Sequence, residues 1–212
     1  MLSSITPLGE RGRNNRWWLT TAAYAIGSVL GGASIGGLCG AVGWLAAAPF
    51  GGAGSLPAAV PLAVLAGVGV LGALADLGAG RLRVPSIQRQ VNENWIGTYR
   101  GWVYGIGFGY QLGLGVATIV TSAITWVALT AAVLTGSVLG GVIVGATFGL
   151  ARAAPLLLAA RVRHPGALRA LHRRNQRFAP TARGLAIGAQ VAVVGVALLL
   201  AVLSVTTTGA GT

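Results

Sequence analysis

Arg152 lies inside an apolar stretch long enough to cross a membrane, nine residues before Arg161 and so about 13 Å deeper along a helix. A guanidinium at such depth costs at least about 2.5–3.5 kcal/mol unless it is paired or hydrated, which marks it as a candidate for binding an anion, relaying a proton or fixing a helix pair. Asp76 sits in another apolar stretch, five residues before Arg81, and is one of only three acidic residues in the chain. An internal register described below places Asp76 about six residues shallower than Arg152, roughly 9 Å. A snorkelling arginine covers much of that gap. Gln111, eleven residues after Arg100, falls near the depth of Arg152, and Gln190 lies somewhat shallower. Arg152, Asp76, Gln111 and Gln190 are therefore the candidate intramembrane polar site. Three roles compete: a structural ion pair, a site for a solute, ion or proton, and simple snorkelling. Tyr110, Thr118, Thr121, Ser122 and Thr125 extend a polar lining, although helical Ser and Thr more often bond their own carbonyls.

Other reactive residue types point away from catalysis. His164 and His172 stand eight residues apart in a basic segment with no acid nearby, a setting of solvated side chains rather than metal ligands. Cys39, the single cysteine, is flanked by glycines and reads as a small buried apolar residue. The chain has no phosphate-binding loop, zinc-protease or haem-attachment motif and no paired carboxylates, and two acids for one catalytic site are hard to find among only three. The expectation is a protein that is not an enzyme and holds no cofactor or metal.

The elements that must position these residues are apolar runs at roughly 17–47, 56–77, 102–134, 138–160 and 185–205. Each reaches the ~20 residues that a helix needs to cross hydrocarbon. The first and third are longer, so they must tilt, break near the middle or extend beyond the bilayer. Trp17, Trp18, Trp44, Trp102, Tyr104 and Trp126 stand at their flanks, where an interfacial aromatic belt would sit. A composition 54% apolar and 8% charged agrees with a membrane protein.

All fifteen basic residues are arginine, and all but Arg152 lie in three stretches. These are the tail before the first run, the segment between the second and third, and the segment between the fourth and fifth. Lys and Arg accumulate in cytoplasmic loops, so the pattern predicts about five spans in the plasma membrane, N-terminus cytoplasmic and C-terminus outside. The net charge of +12 then reflects topology and anionic lipid headgroups, not nucleic acid. A cleaved signal peptide is not expected, because the first run is about twice the length of an h-region.

Shifting the sequence on itself by about 82 positions aligns Gly27 with Gly109, Gly31 with Gly113, Trp44 with Trp126, Gly54-Ser55 with Gly136-Ser137 and Arg81 with Arg163, without gaps. The start of the fifth run, Arg183-Gly184 and then Gly188, echoes Arg100-Gly101 and then Gly105. A unit of two spans enters and leaves on one side, so its copies must run parallel. Arg152 aligns with Val70, Asp76 with Leu158 and Gln111 with Val29, so the polar candidates break the symmetry. The layout is a basic tail at 1–16, repeats at 17–98 and 99–183, and a last span with an outer tail at 184–212. Gly101, Gly105, Gly109 and Gly113 form one helix face, as do Gly141, Gly145 and Gly149, and Gly32, Gly36 and Gly40. Such faces let helices approach closely where lipid supplies no hydrophobic drive. A narrow permeation path or pigment pocket is the competing use.

Pro85-Ser86 opens a short amphipathic helix with Ile87, Val91, Trp95 and Tyr99 on one face, suited to the cytoplasmic interface or to a partner. Residues 165–175 read as its more basic counterpart. The stretch from Gly105 to Gly115, with a long first helix in each half, resembles the transmembrane thiol-reductant carriers of cytochrome c biogenesis. That resemblance implies a related scaffold, inverted three-helix halves and a cysteine in the first helix of each half. Cys39 matches the first position, whereas the repeat puts Thr121 at the second, and a lone cysteine cannot cycle through an intramolecular disulfide. The whole reads as an all-α integral membrane protein that moves a small anionic solute or a proton through its helix bundle. The alternative is a non-catalytic structural or assembly subunit of a larger membrane complex. Its partners are then a bilayer with anionic headgroups and either a second copy or another membrane protein.

Overall fold

In lipid every backbone polar group must find its partner within the segment, so long uncharged runs become helices. The computed structural model describes residues 5–52, 55–79, 98–116 and 122–209. Its helices are α1 (Pro7–Gly12), α2 (Trp17–Ala47), α3 (Ala59–Leu77), α4 (Gly101–Gly113), α5 (Ile124–Leu134), α6 (Val138–Ala153) and α7 (Pro165–Gly209). A short 3-10 helix, Ala48–Phe50, follows α2, and a longer one, Ala154–Arg161, continues α6. Among the described residues four helices are long and apolar enough to cross a membrane: Trp17–Phe50, Ala59–Leu77, Val138–Arg161 and Pro180–Thr206. The chain is a multi-pass, all-helical membrane protein.

The two overlong runs resolve differently. The first stays one helix of 31 residues, about 46 Å long and so tilted or protruding. The third breaks: α4 ends at Gly113, and Gly115 takes φ 74, a left-handed conformation that favours glycine. Neither half is long enough to span alone. The basic segment at 165–175, expected as a separate interfacial helix, instead forms the start of α7, a single helix of 45 residues that continues through Pro180. Proline removes one ladder bond without forcing a stop. Ile87, Val91 and Trp95 of the expected amphipathic helix lie outside the described residues, as do Thr118 and Thr121; Tyr99 is described and exposed.

The chain divides into two compact units, each assembled from three pieces. One comprises Met1–Ile35, Ile87–Ile119 and Gly145–Thr181, the other Gly36–Ser86, Val120–Val144 and Ala182–Thr212.

In the first unit, glycines set the helix approach. A Cβ on Gly27 would enter the Ile106 carbonyl and one on Gly31 the Tyr110 carbonyl, while Gly109 lies against the Tyr24 carbonyl and Gly113 against that of Ser28. Residue numbers rise together along both helices, so α2 and α4 pack in parallel. The contacts are reciprocal under the 82-residue shift: Gly27 meets the residue equivalent to Tyr24, and Gly109, equivalent to Gly27, meets Tyr24 itself. Helix α6 runs antiparallel to α2, with Gly32 against the Gly145 carbonyl, Gly149 against the Ser28 carbonyl, and the Ser28 hydroxyl donating to the Gly149 carbonyl at 2.7 Å. The core joins Ile5, Tyr24, Tyr104, Phe108, Ala153 and Leu156. Tyr104 is thus a buried core residue and not part of an interfacial belt, whereas Trp18, Trp44 and Trp102 are exposed.

The N-terminal tail also folds. Thr6 caps α1, its hydroxyl accepting from the Gly9 N–H, with Pro7 preset for the first turn. The Leu8 N–H donates to the Val162 carbonyl at 3.1 Å, which ties α1 to the end of the second 3-10 helix.

In the second unit, Gly141 of α6 packs on the Gly36 carbonyl and Gly40 of α2 on the Ser137 carbonyl. Helix α3 presents Gly69 to Val194 of α7, and Gly72 to Ala123 and Val127 of the α5 region.

Candidate functional site

Asp76 occupies the last turn of α3, and only 7% of its surface is exposed. Gly78 ends that helix in the left-handed conformation (φ 74), with its N–H returned to the Ala75 carbonyl and the Ala79 N–H to the Leu74 carbonyl. The carboxylate accepts the Ser122 hydroxyl at 2.6 Å, the Gln190 amide at 2.7 Å, and the Ala123 N–H at 3.0 and 3.1 Å to its two oxygens. Ala123 is the N-cap of α5, so a negative group sits at the positive end of a helix and takes a free N–H. Arg183 Nε donates to the Asp76 backbone carbonyl, not to its carboxylate. Arg183 and Gln190 stand seven residues apart, two turns of α7, and so reach α3 from one face. Gln190 is fully buried, and its amide oxygen has no hydrogen-bond partner. That oxygen would lie 3.3 Å from a Cβ at position 72, so Gly72 leaves the space that it faces.

Arg152 belongs to the other unit. It is half-buried, donates from Nη1 to the Gly115 carbonyl at 3.3 Å, and lies 5.5 Å from the centre of the Phe148 ring, a cation–π distance. Gly115 follows the C-terminal end of α4, where carbonyls lack intrahelical partners and the dipole is negative. The structure therefore brings Asp76 and Gln190 together and meets Arg152 inside its own unit. Gln111 is half-buried on α4. Ser122, expected only as pore lining, binds the carboxylate directly.

A third polar cluster was not read from the sequence. Glu10 is fully buried in the first unit, where its carboxylate accepts from Arg13 at 2.8 Å, from the Thr20 hydroxyl at 2.9 Å and from the Tyr104 hydroxyl. Arg13 also donates to the Tyr104 oxygen at 3.1 Å. Gly101 permits this packing, since a Cβ there would come within 3.1 Å of Glu10 Oε2 and 2.5 Å of Thr20 Oγ1. The available signal was an acid standing alone among three arginines. Cys39 is half-buried on α2 in the second unit. Among the described residues no group of three or more His, Cys, Asp or Glu could hold a metal.

No curated protein and no solved structure matches the chain significantly. The profile of the family described as "Cytochrome C biogenesis protein transmembrane region" does match, over residues 3–192. That range includes the reciprocal glycine contacts of α2 with α4, the Arg152 end of the broken run and the whole Asp76–Ser122–Gln190 centre. The chain belongs to the cytochrome c biogenesis transmembrane-region family.

Proposed function

We propose that the protein moves a small anionic solute or a proton across the plasma membrane, using the broken third run as its working part. One observation carries this reading. On either side of the break a helix end holds, within its own unit, a charge of complementary sign, half-buried for Arg152 and buried for Asp76. Arg152 meets the carbonyl end after α4, and Asp76 takes the N–H end of α5. Discontinuous helices whose ends receive charges are how many membrane carriers build substrate and coupling-ion sites. Gln190 adds a buried acceptor beside Asp76 that a proton or a donor could satisfy.

The test is flux into vesicles reconstituted with the purified protein, read by a pH-sensitive dye and by efflux of chloride, nitrate, sulfate and small carboxylates. Protein-containing vesicles should dissipate an imposed gradient at least tenfold faster than empty ones. Asp76→Asn should abolish proton movement, and Arg152→Gln should abolish anion movement. Vesicles no leakier than empty ones for every probe would sink transport. Family membership favours the second reading in that case, a non-catalytic assembly subunit that co-purifies with a membrane complex.

Other parts of the reading rest on the sequence. The arginine distribution supports a cytoplasmic N-terminus and an external C-terminus, and assigns the basic segments to anionic headgroups without a nucleic-acid role. The reciprocal contacts of α2 and α4 support a parallel duplication of about 82 residues. We hold the protein to be non-enzymatic, and to act as a homo-oligomer or within a membrane complex.

A further inference from the structure

The first unit carries a second feature, separate from the charges of the transport reading. A groove of about 330 Å³ lies between α2 and the end of α6, lined by Thr21, Ala25, Leu150, Ala154 and Leu157 among others. Its volume falls at the small end of ligand pockets, about 300–1,000 Å³. Leu150 and Leu157, which line it, are exposed, so it opens on an apolar outer surface.

Thr21 is the polar exception. Only 8% of it is exposed, and its hydroxyl has no hydrogen-bond partner. Helical threonine ordinarily returns its hydroxyl to a carbonyl of the preceding turn, and a buried polar group left unpaired is costly. Threonine in a helix also adopts either of two χ1 rotamers. Thr21 lines the groove, so an acceptor placed there is within reach of its hydroxyl.

Charge at one end of the groove says what the acceptor belongs to. Helices α2 and α6 are antiparallel, with Ser28 at the level of Gly149 and Gly32 at that of Gly145. Continued along both elements, with the longer rise of the 3-10 helix counted, this register puts Arg16 within about 4 Å of the level of Arg161. Arg16 lies five residues beyond Thr21, about 7.5 Å, and Arg161 four residues beyond Leu157 in a 3-10 helix, about 8 Å. Both arginines are exposed. The one described carboxylate of this unit, Glu10, is buried and already accepts from Arg13, Thr20 and Tyr104. An anion for Arg16 and Arg161 must therefore come from outside the described residues. A phospholipid supplies these parts in the matching order: an apolar chain, an ester carbonyl one turn above it, and a phosphate beyond.

We propose that this groove is a binding site for one anionic phospholipid, with an acyl chain in the groove, an ester carbonyl accepting from Thr21, and the phosphate held by Arg16 and Arg161.

The full chain, purified in mild detergent, would be delipidated and titrated with phosphatidylglycerol or phosphatidylcholine, with bound mass read by native mass spectrometry. The expected result is one phosphatidylglycerol per chain, bound at least tenfold tighter than phosphatidylcholine. The double variant Arg16→Gln with Arg161→Gln should lose that preference. Ala154→Leu, which fills the groove, should lose both lipids while its unfolding temperature without lipid stays that of the parent. Thr21→Val should weaken binding severalfold. Equal affinity for the two lipids, no bound lipid, unchanged binding by the double variant, or a neutral apolar molecule such as a quinone in the groove would each overturn the proposal. Flux plays no part in this readout, so failure of the transport reading leaves it standing, and the reverse.

Discussion

Glu10 and Asp76 show how a chain so short of acids uses them. Each carboxylate is buried, and each accepts several donors that would otherwise be orphaned. Charged hydrogen bonds of this kind are worth about 1.5–3 kcal/mol each when one partner is removed. Glu10→Ala should therefore lower stability by about 1.5–3 kcal/mol, and Glu10→Gln by less, because the amide oxygen still accepts from Thr20 or Tyr104. Thermal unfolding in detergent measures both, and a Glu10→Ala protein as stable as its parent would remove the cluster from the account. Asp76 and Gln190 were legible because polar residues are rare in spans and expensive there. The partners of Asp76 were not, because Ser122 and Ala123 reach it from 46 and 47 positions away, a pairing that only the fold creates. Glu10 was hidden by its neighbours, since three nearby arginines made the tail look like a solvated basic arm.

Helices here are held by what glycine leaves out. Gly109 and Gly113 lie against backbone carbonyls of α2, where a methyl group has no room, whereas Gly184, Gly188 and Gly195 of α7 meet nothing within 4 Å. Gly109→Ala and Gly113→Ala should each cost about 1–3 kcal/mol, as overpacking does. Gly188→Ala and Gly195→Ala should be neutral, or stabilising by about 0.5–1 kcal/mol through the helix preference of alanine. Equal effects from the two groups would show that α2 and α4 do not approach as described. Spacing exposed the ladders but could not separate packed from open ones: the sequence echo between Arg100-Gly101 and Arg183-Gly184 pairs a buried glycine with one in open space. A break in the third run was one of the outcomes that its length allowed, but the position of the break at Gly115 was not legible. This glycine stands two residues after Gly113, off the four-residue ladder but among other glycines, and only the backbone φ marks it as a stop.

At the scale of the whole molecule, the parallel packing of α2 and α4 and the antiparallel course of α6 constrain which ends share a side. The first and third runs therefore begin on one face. The reciprocity under the 82-residue shift holds at this helix pair, while the break in the third run departs from it, since α2 is continuous. Arg16 and Arg161 fall within about 4 Å of one level by the α2–α6 register, and α7 begins four residues after Arg161 with exposed Arg169, Arg173, Arg174 and Arg177. After Arg183 the chain carries no charge to its last residue. The stretch from Gly184 to Thr206 covers about 34 Å as helix, enough to cross the hydrocarbon once. The prediction is that Thr212 lies on the side opposite the arginines, which the positive-inside rule makes the outside. A phosphatase fused after Thr212, active only when exported, should be active, and a fluorescent protein that matures only in the cytoplasm should stay dark there. Fusions after Gly78 should give the reverse pair. A fluorescent, phosphatase-negative C-terminus would add or remove a span, and would place the uncharged end of α7 on the same side as its basic beginning.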